Sequence, residues 1–548
     1  MASEPPATLS GFLAQQVRLH GERPLILLGE RRLRYADADR LSAELARGLL
    51  AAGVAKGSRV GVLFANGPDW LVAWLAASRI GAVVVPINTF YTPRELGYVL
   101  HHADVQVLLT TSHVLGRDVL AGLETFAPSL SQAGTTIRVA ELPFLRHVFV
   151  WDDPGGRRFA QPAEALRVLA SSSPVTSELL AAAEASVSPA DPAIVIYSSG
   201  STAEPKGAIH SHGALVRHPA NLNRFRDLTA EDRVYSPMPF FWVGGLVFAL
   251  LTSMERGAFL ICEERFEPGA TLALLERERA TIVSGWPHYS KAMLEHPSFG
   301  ERDLSSIRSG NLYEVLPEAV RPKDPELRSN SLGMTETLGP HTIDRMDVDL
   351  PERLRGSFGH AVPGVEHRIV DPETGERLPP GRSGEICVRG YSVMLGLQKV
   401  LREQTFDDEG FYHTGDAGRF DEDGVLFFEA RLGDLIKTAG ANVSPREVEV
   451  ELEAQQEVSS AYVVGLPDPA RGQNVAAALV LRPDARLDEA SLRKRLRASL
   501  SAYKVPRQFF VCEKSELPFT DSGKIDKQRL TALLAARTLP TPLAGSGS

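Results

Sequence analysis

Apolar residues run in short continuous blocks through the first half of the chain, and these blocks alternate with helical patterns. Arg59–Phe64 (RVGVLF) is one such block. It is too short for a helix and rich in valine, so it predicts a strand. The turn Asn66-Gly67-Pro68 follows, and Asp69 is placed to cap a helix over Trp70–Ile80 (WLVAWLAASRI). Gly81 breaks the pattern. Ala82–Ile87 predicts a second strand, Thr92–His101 a helix and Val105–Leu109 a third strand. Strands that are apolar on both faces and separated by helices belong to parallel sheets covered on both sides.

The last hundred or so residues read differently. Ser444-Pro445-Arg446-Glu447 has the spacing of a capping box with proline at the first helical position. Strand patterns follow at Ala461–Gly465 and Val475–Leu481, then a basic helix over Glu489–Ser501 and a strand over Gln508–Val511. The expected fold is an α/β large N-terminal domain of layered sheets with helices, followed by a small mobile α+β C-terminal domain. The boundary falls near Ala430–Lys437, which assigns 1–432 to the large domain, 433–538 to the small one and 539–548 to a flexible tail.

Val234–Met254 carries no charge, which is long enough for a bilayer span. Prolines 237 and 239, glycines 244 and 245, two serines and a threonine interrupt it, so it is expected to be a buried turn and core helix.

Composition narrows the function classes. A net charge of −9 over 548 residues gives no basic stripe for nucleic acid. Cys262, Cys387 and Cys512 stand far apart, so neither a disulfide framework nor a C-x-x-C zinc site is expected, and a reducing cytoplasm fits. The N-terminus MASEPPATLSGF lacks a basic-then-apolar signal.

The chemistry begins at Tyr197–Gly207 (YSSGSTAEPKG), which follows the apolar run Ala193–Ile196. A strand feeding a Gly/Ser/Thr loop is a phosphate cradle: glycines admit close approach, N–H groups and hydroxyls donate, and Lys206 adds charge. It is not a Walker A loop, because the lysine precedes Gly207 and Ala208 follows.

The same stretch resembles the signature loop of the adenylate-forming superfamily, which includes acyl-CoA synthetases, aryl-CoA ligases, peptide synthetase adenylation domains and firefly luciferase. Four further stretches resemble its blocks in the same order: Asn330–Thr337 (NSLGMTET), Tyr412–Asp416 (YHTGD), Arg431–Glu449 (RLGDLIKTAGANVSPREVE) and Leu517–Ile525 (LPFTDSGKI). The resemblance implies an acid–thiol ligase. ATP and a carboxylic acid give an acyl-adenylate and pyrophosphate; the acyl group then passes to CoA.

Residue by residue, it implies that Ser198, Ser199, Gly200, Ser201, Thr202 and Lys206 wrap the phosphates. Thr335 would contact the α-phosphate. Glu336, with Thr202, would hold Mg²⁺, a hard cation that favours oxygen ligands. Gly310, Asn311, Leu312, Leu332, Gly333 and Met334 would border the nucleotide, with Asn311 reading the adenine edge. Asp416 and Arg431 would take the ribose. Lys524 would bridge the carboxylate and the α-phosphate, two anions that otherwise repel. Gly433 stands at the hinge, and Lys437, Gly440 and Ala441 would line a CoA tunnel after the small domain rotates. Phe240, Phe241, Trp242, Gly244 and Gly245 would border the acyl pocket.

Three departures from the family pattern cluster near the substrate. Leu332 replaces the adenine-stacking aromatic, Gly310-Asn311-Leu312-Tyr313 replaces G-G-A-P, and Trp242 replaces a histidine. No acid follows Phe241 to pair with an amine, so an apolar, fatty acid is the expected substrate. An acyl carrier protein or an internal β-hydroxyl is the alternative acceptor, and a non-catalytic binder the third reading. The resemblance is compatible with a homodimer.

Overall fold

The computed structural model describes residues 7–198, 205–438, 441–468, 471–500, 504–520 and 523–538. Ser199, Gly200, Ser201, Thr202, Gly440, the end of the predicted helix at Ser501 and the tail 539–548 lie outside the described residues, as do the side chains of Lys437 and Ala441. The chain divides into two compact units. One comprises Met1–His367 with Val388–Tyr412; the other comprises Arg368–Cys387 with His413–Ser548.

The first unit holds two large sheets. In the eight-stranded one, Arg59–Leu63, Val83–Pro86, Val107–Thr110 and His147–Val150 pair in parallel. Val60, Val62, Val84, Val85, Leu108 and Leu109 are all buried, the condition for strands apolar on both faces. Pro192–Ser198 joins this sheet in parallel through Ile194 and Val84, then pairs antiparallel with Lys206–Ser211. In the six-stranded sheet, Pro24–Leu28, Phe259–Cys262, Arg233–Tyr235, Ile282–Val283 and Ser309–Gly310 are parallel neighbours, with Arg31–Arg34 antiparallel at one edge.

Two local expectations meet different outcomes. Thr92 caps Pro93–His102 with a complete capping box to Glu95. The helix expected to start after Asp69 instead spans Pro68–Arg79, with Gly67 as its cap. Proline supplies a preset first-turn φ and has no N–H to satisfy. Asp69 therefore sits inside the first turn, where its carboxylate pairs with Arg31 at 2.6 Å.

The uncharged stretch from Val234 forms the strand Arg233–Tyr235, a turn, a π-helix over Gly244–Leu251 and an α-helix over Thr252–Arg256. Among the described residues no helix is long and apolar enough to cross a membrane.

The second unit contains a five-stranded sheet of Ile436–Thr438, Ala441–Val443, Val458–Asp468, Gly472–Leu481 and Gln508–Val511. Alternation sorts its side chains. Val463, Val475, Ala477 and Leu479 pack with Val448, Leu452, Leu492 and Leu496 on the helices Pro445–Glu453 and Glu489–Ser499. Val464, Leu466, Ala476 and Ala478 pack with Leu530 and Leu534 on Lys527–Thr538. The expected capping box is half formed. Ser444 Oγ accepts from Glu447 N–H at 3.4 Å, but the Glu447 carboxylate holds Lys504 at 2.6 Å.

Candidate active site

In the first unit, the antiparallel strands Pro192–Ser198 and Lys206–Ser211 bring Ser198 opposite Lys206, at the end where the chain passes from one strand to the other. Gly207 is needed there for packing: a Cβ would lie 2.7 Å from Val195 Cγ1 and 3.0 Å from the Tyr197 ring. The loop between Ser198 and Pro205, which carries the expected phosphate donors, lies outside the described residues.

Thr335 and Glu336 sit in a single 3-10 turn, Thr335–Thr337, between the strands Ser331–Met334 and Gly339–Ile343. The turn is closed by Leu338 at φ 59°. Gly333 abuts the returning strand so closely that a Cβ would come 2.4 Å from the Gly339 carbonyl carbon.

Two backbone contacts fix the turn. Met394 N–H donates to Glu336 O at 2.8 Å, and His210 Nε2 donates to Thr335 O at 2.8 Å. Burial pushes the His210 pKa down to about 4, so the ring is a neutral Nε2–H donor at neutral pH. Sequence reading missed this histidine, which meets Thr335 across 125 residues. The half-buried Glu336 carboxylate takes no hydrogen bond or ion pair among the described residues. An unclaimed hard oxygen donor of this kind fits Mg²⁺, which uses one or two carboxylates together with phosphate oxygens.

A cavity of about 340 Å³ lies in the same unit. Gly310, Asn311, Tyr313, Ser331 and Gly333 line it, with Val234, Ile282 and the π-helix residues Gly244, Phe248 and Ala249. Gly310 is at φ 143°, and a Cβ there would meet Val283 O at 1.9 Å.

Several of the expected site residues have contacts of their own here. Asn311 is anchored: its Oδ1 accepts from Gly285 N–H at 3.0 Å and its Nδ2 donates to Gly285 O at 2.9 Å, which leaves one N–H and one lone pair of the amide. Leu312 is fully buried in the core with Tyr235 and Ile261. Leu332 and Met334 do not line the cavity, because strand alternation turns Ser331 and Gly333 toward it.

Of the five residues expected at the acyl pocket, only Gly244 borders this cavity. Phe240 is fully buried edge-on to Trp70, with ring centroids 5.2 Å apart. Phe241 packs on Phe90 and Trp242, and Trp242 faces Trp286. Gly245 is a packing glycine, since a Cβ would fall 2.1 Å from Pro239 O. The turn buries Phe240 and Phe241 and leaves Trp242 partly exposed, and the π-helix presents Phe248 and Ala249 to the cavity. A π-helix has no sequence signature comparable to a 3.6 period, so the residues it presents to this cavity are not marked in the sequence.

In the second unit, Asp416 is buried, and its carboxylate lies 3.2 Å from Arg431 Nε across paired strands. Gly415, at φ 71°, turns the chain immediately before it. Glu385 Oε1 accepts from Gly415 N–H at 3.0 Å, and its Oε2 contacts His413 Nδ1 at 2.8 Å. Cys387 Sγ lies 3.5 Å from the same His413 nitrogen, so three ligand-type side chains gather behind the turn. No C-x-x-C spacing announces this cluster, because Glu385 and Cys387 share the strand Gly384–Gly390 and His413 comes from the strand Tyr412–Phe420.

Lys524 is exposed in a tight turn. Thr520 N–H donates to Lys524 O at 2.7 Å, and Gly523 takes φ 75°. Its ammonium forms no ion pair among the described residues. Gly433 lies exposed in the 3-10 turn Leu432–Asp434. The backbones of Lys437 and Ala441 belong to the paired strands Ile436–Thr438 and Ala441–Val443.

Residues 13–397 match the family model described as AMP-binding enzyme, and residues 447–524 match the AMP-binding enzyme C-terminal domain. The putative acyl-CoA synthetase YngI of Bacillus subtilis (strain 168) is 30% identical over 546 residues, covering 96% of each chain. A feruloyl-CoA synthase of Amycolatopsis sp is 32% identical over 532 residues, covering 95% of this chain and 97% of that one. The ATP-bound structure of MatB from Rhodopseudomonas palustris superposes with a TM-score of 0.77 at 27% identity, covering 96% of this chain and 99% of that one. The chain belongs to the AMP-binding enzyme family, within the adenylate-forming superfamily. It is an AMP-forming acid–thiol ligase of the acyl-CoA synthetase class.

Proposed function

We propose that this enzyme activates a carboxylic acid with a hydrophobic body, of the fatty-acid type, as its acyl-adenylate and then transfers the acyl group to CoA. The observation that carries the acid reading is the largely apolar cavity bordered by Gly310 and Gly333, next to the turn that presents Thr335 and Glu336. Its volume suits a small-molecule acid.

The difficulty of the first step is electrostatic. A carboxylate oxygen must attack the α-phosphorus while pyrophosphate leaves, and both partners are anions. Ser198, the loop 199–202 and Lys206 cradle the phosphates in this reading. Thr335 contacts the α-phosphate, held in place through its carbonyl by His210. Glu336 and Thr202 would hold Mg²⁺, which supplies charge neutralisation on the phosphate oxygens. Asp416 and Arg431 hold the ribose.

Lys524 brings the cation that lets the two anions approach. In the second step the CoA sulfur attacks the acyl carbon and AMP leaves. We assign 1–432 and 433–538 as the bodies that rotate about Gly433 between the steps, so that Lys437, Gly440 and Ala441 come to line the pantetheine path.

The test is ATP–pyrophosphate exchange across a panel of aliphatic and aryl acids, followed by CoA-dependent AMP release. Lys524→Ala should reduce acid-dependent exchange about a hundredfold or more while leaving the melting temperature unchanged, because Lys524 is exposed and unpaired. Undiminished exchange in Lys524→Ala would remove the assigned role.

A further inference from the structure

The cavity contains a cation that the hydrophobic-acid reading does not use. Arg226 lines it. Its Nη1 donates to Phe248 O at 2.5 Å and to Thr252 Oγ1 at 2.6 Å, and its guanidinium carbon lies 3.9 Å from the Phe248 ring centre. All three partners are neutral. Nε and Nη2 make no hydrogen bond, and no carboxylate among the described residues pairs with the group. Asp347 also lines the cavity, but its carboxylate is held by Arg345, whose Nε lies 2.7 Å away.

The Arg226 side chain is half-buried, and a guanidinium at a cavity wall with no anion beside it is a charge left without a partner. Burial lowers its pKa only to about 10, so it remains protonated at neutral pH.

Position gives the cation a meaning. Asn311, beside Gly310 on the cavity wall, is bonded to Gly285, and Gly285 stands near Pro237, with Met238 beside Gly244 at the start of the π-helix. Arg226 binds further along, at Phe248 of the π-helix and at Thr252 just after it, and Met346 N–H donates to the neighbouring Phe225 O at 3.4 Å. Apolar side chains, among them Val234, Ile282 and Ala249, lie along the cavity.

We propose that Arg226 is a substrate-recognition residue, and that the acid this enzyme activates carries a second carboxylate at the distal end of its apolar body. This rests on the acid-activating reading above and specifies its substrate class. The free Nε and Nη2 edge of the fork has the geometry to hold a carboxylate by two parallel hydrogen bonds. A methyl-terminated acid leaves that edge desolvated and unpaired, the kind of mismatch that discriminates strongly between analogues.

The experiment compares kcat/KM for ATP–pyrophosphate exchange with matched acids: hexanoate against hexanedioate, octanoate against octanedioate, decanoate against decanedioate. The wild type should favour the diacid by about tenfold or more at its best length. Arg226→Met should lower the diacid-to-monoacid ratio by about tenfold or more, and Arg226→Lys should retain part of it. A wild type that prefers the monoacid at every length overturns the proposal, whether or not Arg226→Met folds. So does a diacid preference that Arg226→Met leaves intact. Exchange with monoacids alone therefore removes this subsite and leaves the ligase reading standing. Silence across the whole panel removes the fatty-acid-type substrate reading on which this proposal rests.

Discussion

Arg431 Nε stands 3.2 Å from Asp416 Oδ1, directly across the strand pair that joins Tyr412–Phe420 to Leu426–Arg431. The carboxylate is buried and the guanidinium exposed, so the cation reaches in from the solvent side to a fixed anion. If Asp416 receives the ribose hydroxyls, Asp416→Asn should raise KM for ATP about tenfold or more, and Arg431→Gln should raise it less. The decisive readout is 2′-deoxy-ATP. The wild type should discriminate against it, and Asp416→Asn should lose most of that discrimination. Equal discrimination in both proteins would move the ribose elsewhere.

A Cβ built on Gly433 meets no atom within 4 Å, and the residue is exposed. Gly433→Ala is therefore sterically free. Gly433→Pro restricts the backbone. It should leave pyrophosphate exchange near the wild-type rate and slow CoA-dependent AMP release about tenfold if, as proposed, only the second step requires the rotation. Parallel loss of both activities would exclude a hinge at this position.

Phe240 is fully buried against Trp70, and its N–H donates to Asn66 Oδ1 at 2.9 Å. Truncation to alanine keeps that backbone bond and empties an aromatic site. Phe240→Ala should cost about 3–5 kcal/mol of stability, measured by denaturant unfolding. A cost below about 1 kcal/mol would mean that the site collapses or is not packed as described.

Acid should destabilise the first unit earlier than carboxylate protonation alone would. Burial lowers the pKa of His210, His212 and His367 to about 4, that of His218 to about 3, and that of His341 well below 6.5. These groups are neutral when folded and titrate near 6.5 when unfolded. The unfolded chain therefore binds more protons below pH 6.5, and stability falls as pH drops from 6.5 toward 4. For His210 alone the full shift amounts to about 3 kcal/mol. Denaturation midpoints at pH 7.5, 6.5 and 5.5 should fall across the first interval and fall about threefold more across the second. A midpoint unchanged down to pH 5 would refute the assignment.

The features legible in the sequence were those written by neighbours along the chain. The Thr92–Glu95 capping box and the valine-rich strands around Val60, Val84 and Leu108 depend on local backbone geometry and on a two-residue alternation. Ser444 had the same local spacing, yet its partner Glu447 was drawn to Lys504, 57 residues away. Asp69 lost its cap to the proline beside it. In these cases a competing partner decided between options that the local pattern left open.

The linear order of residues was enough to establish the family, the α/β and α+β classes and the succession of phosphate, ribose and lysine motifs, because each is a short run whose chemistry is carried by adjacent side chains. Tertiary packing alone decided which side chains line the cavity. Arg226 and Phe248 meet at the cavity, His210 holds Thr335, and Leu312 turns into the core. Such contacts arise where distant segments exclude water together, and no local period in the chain records them.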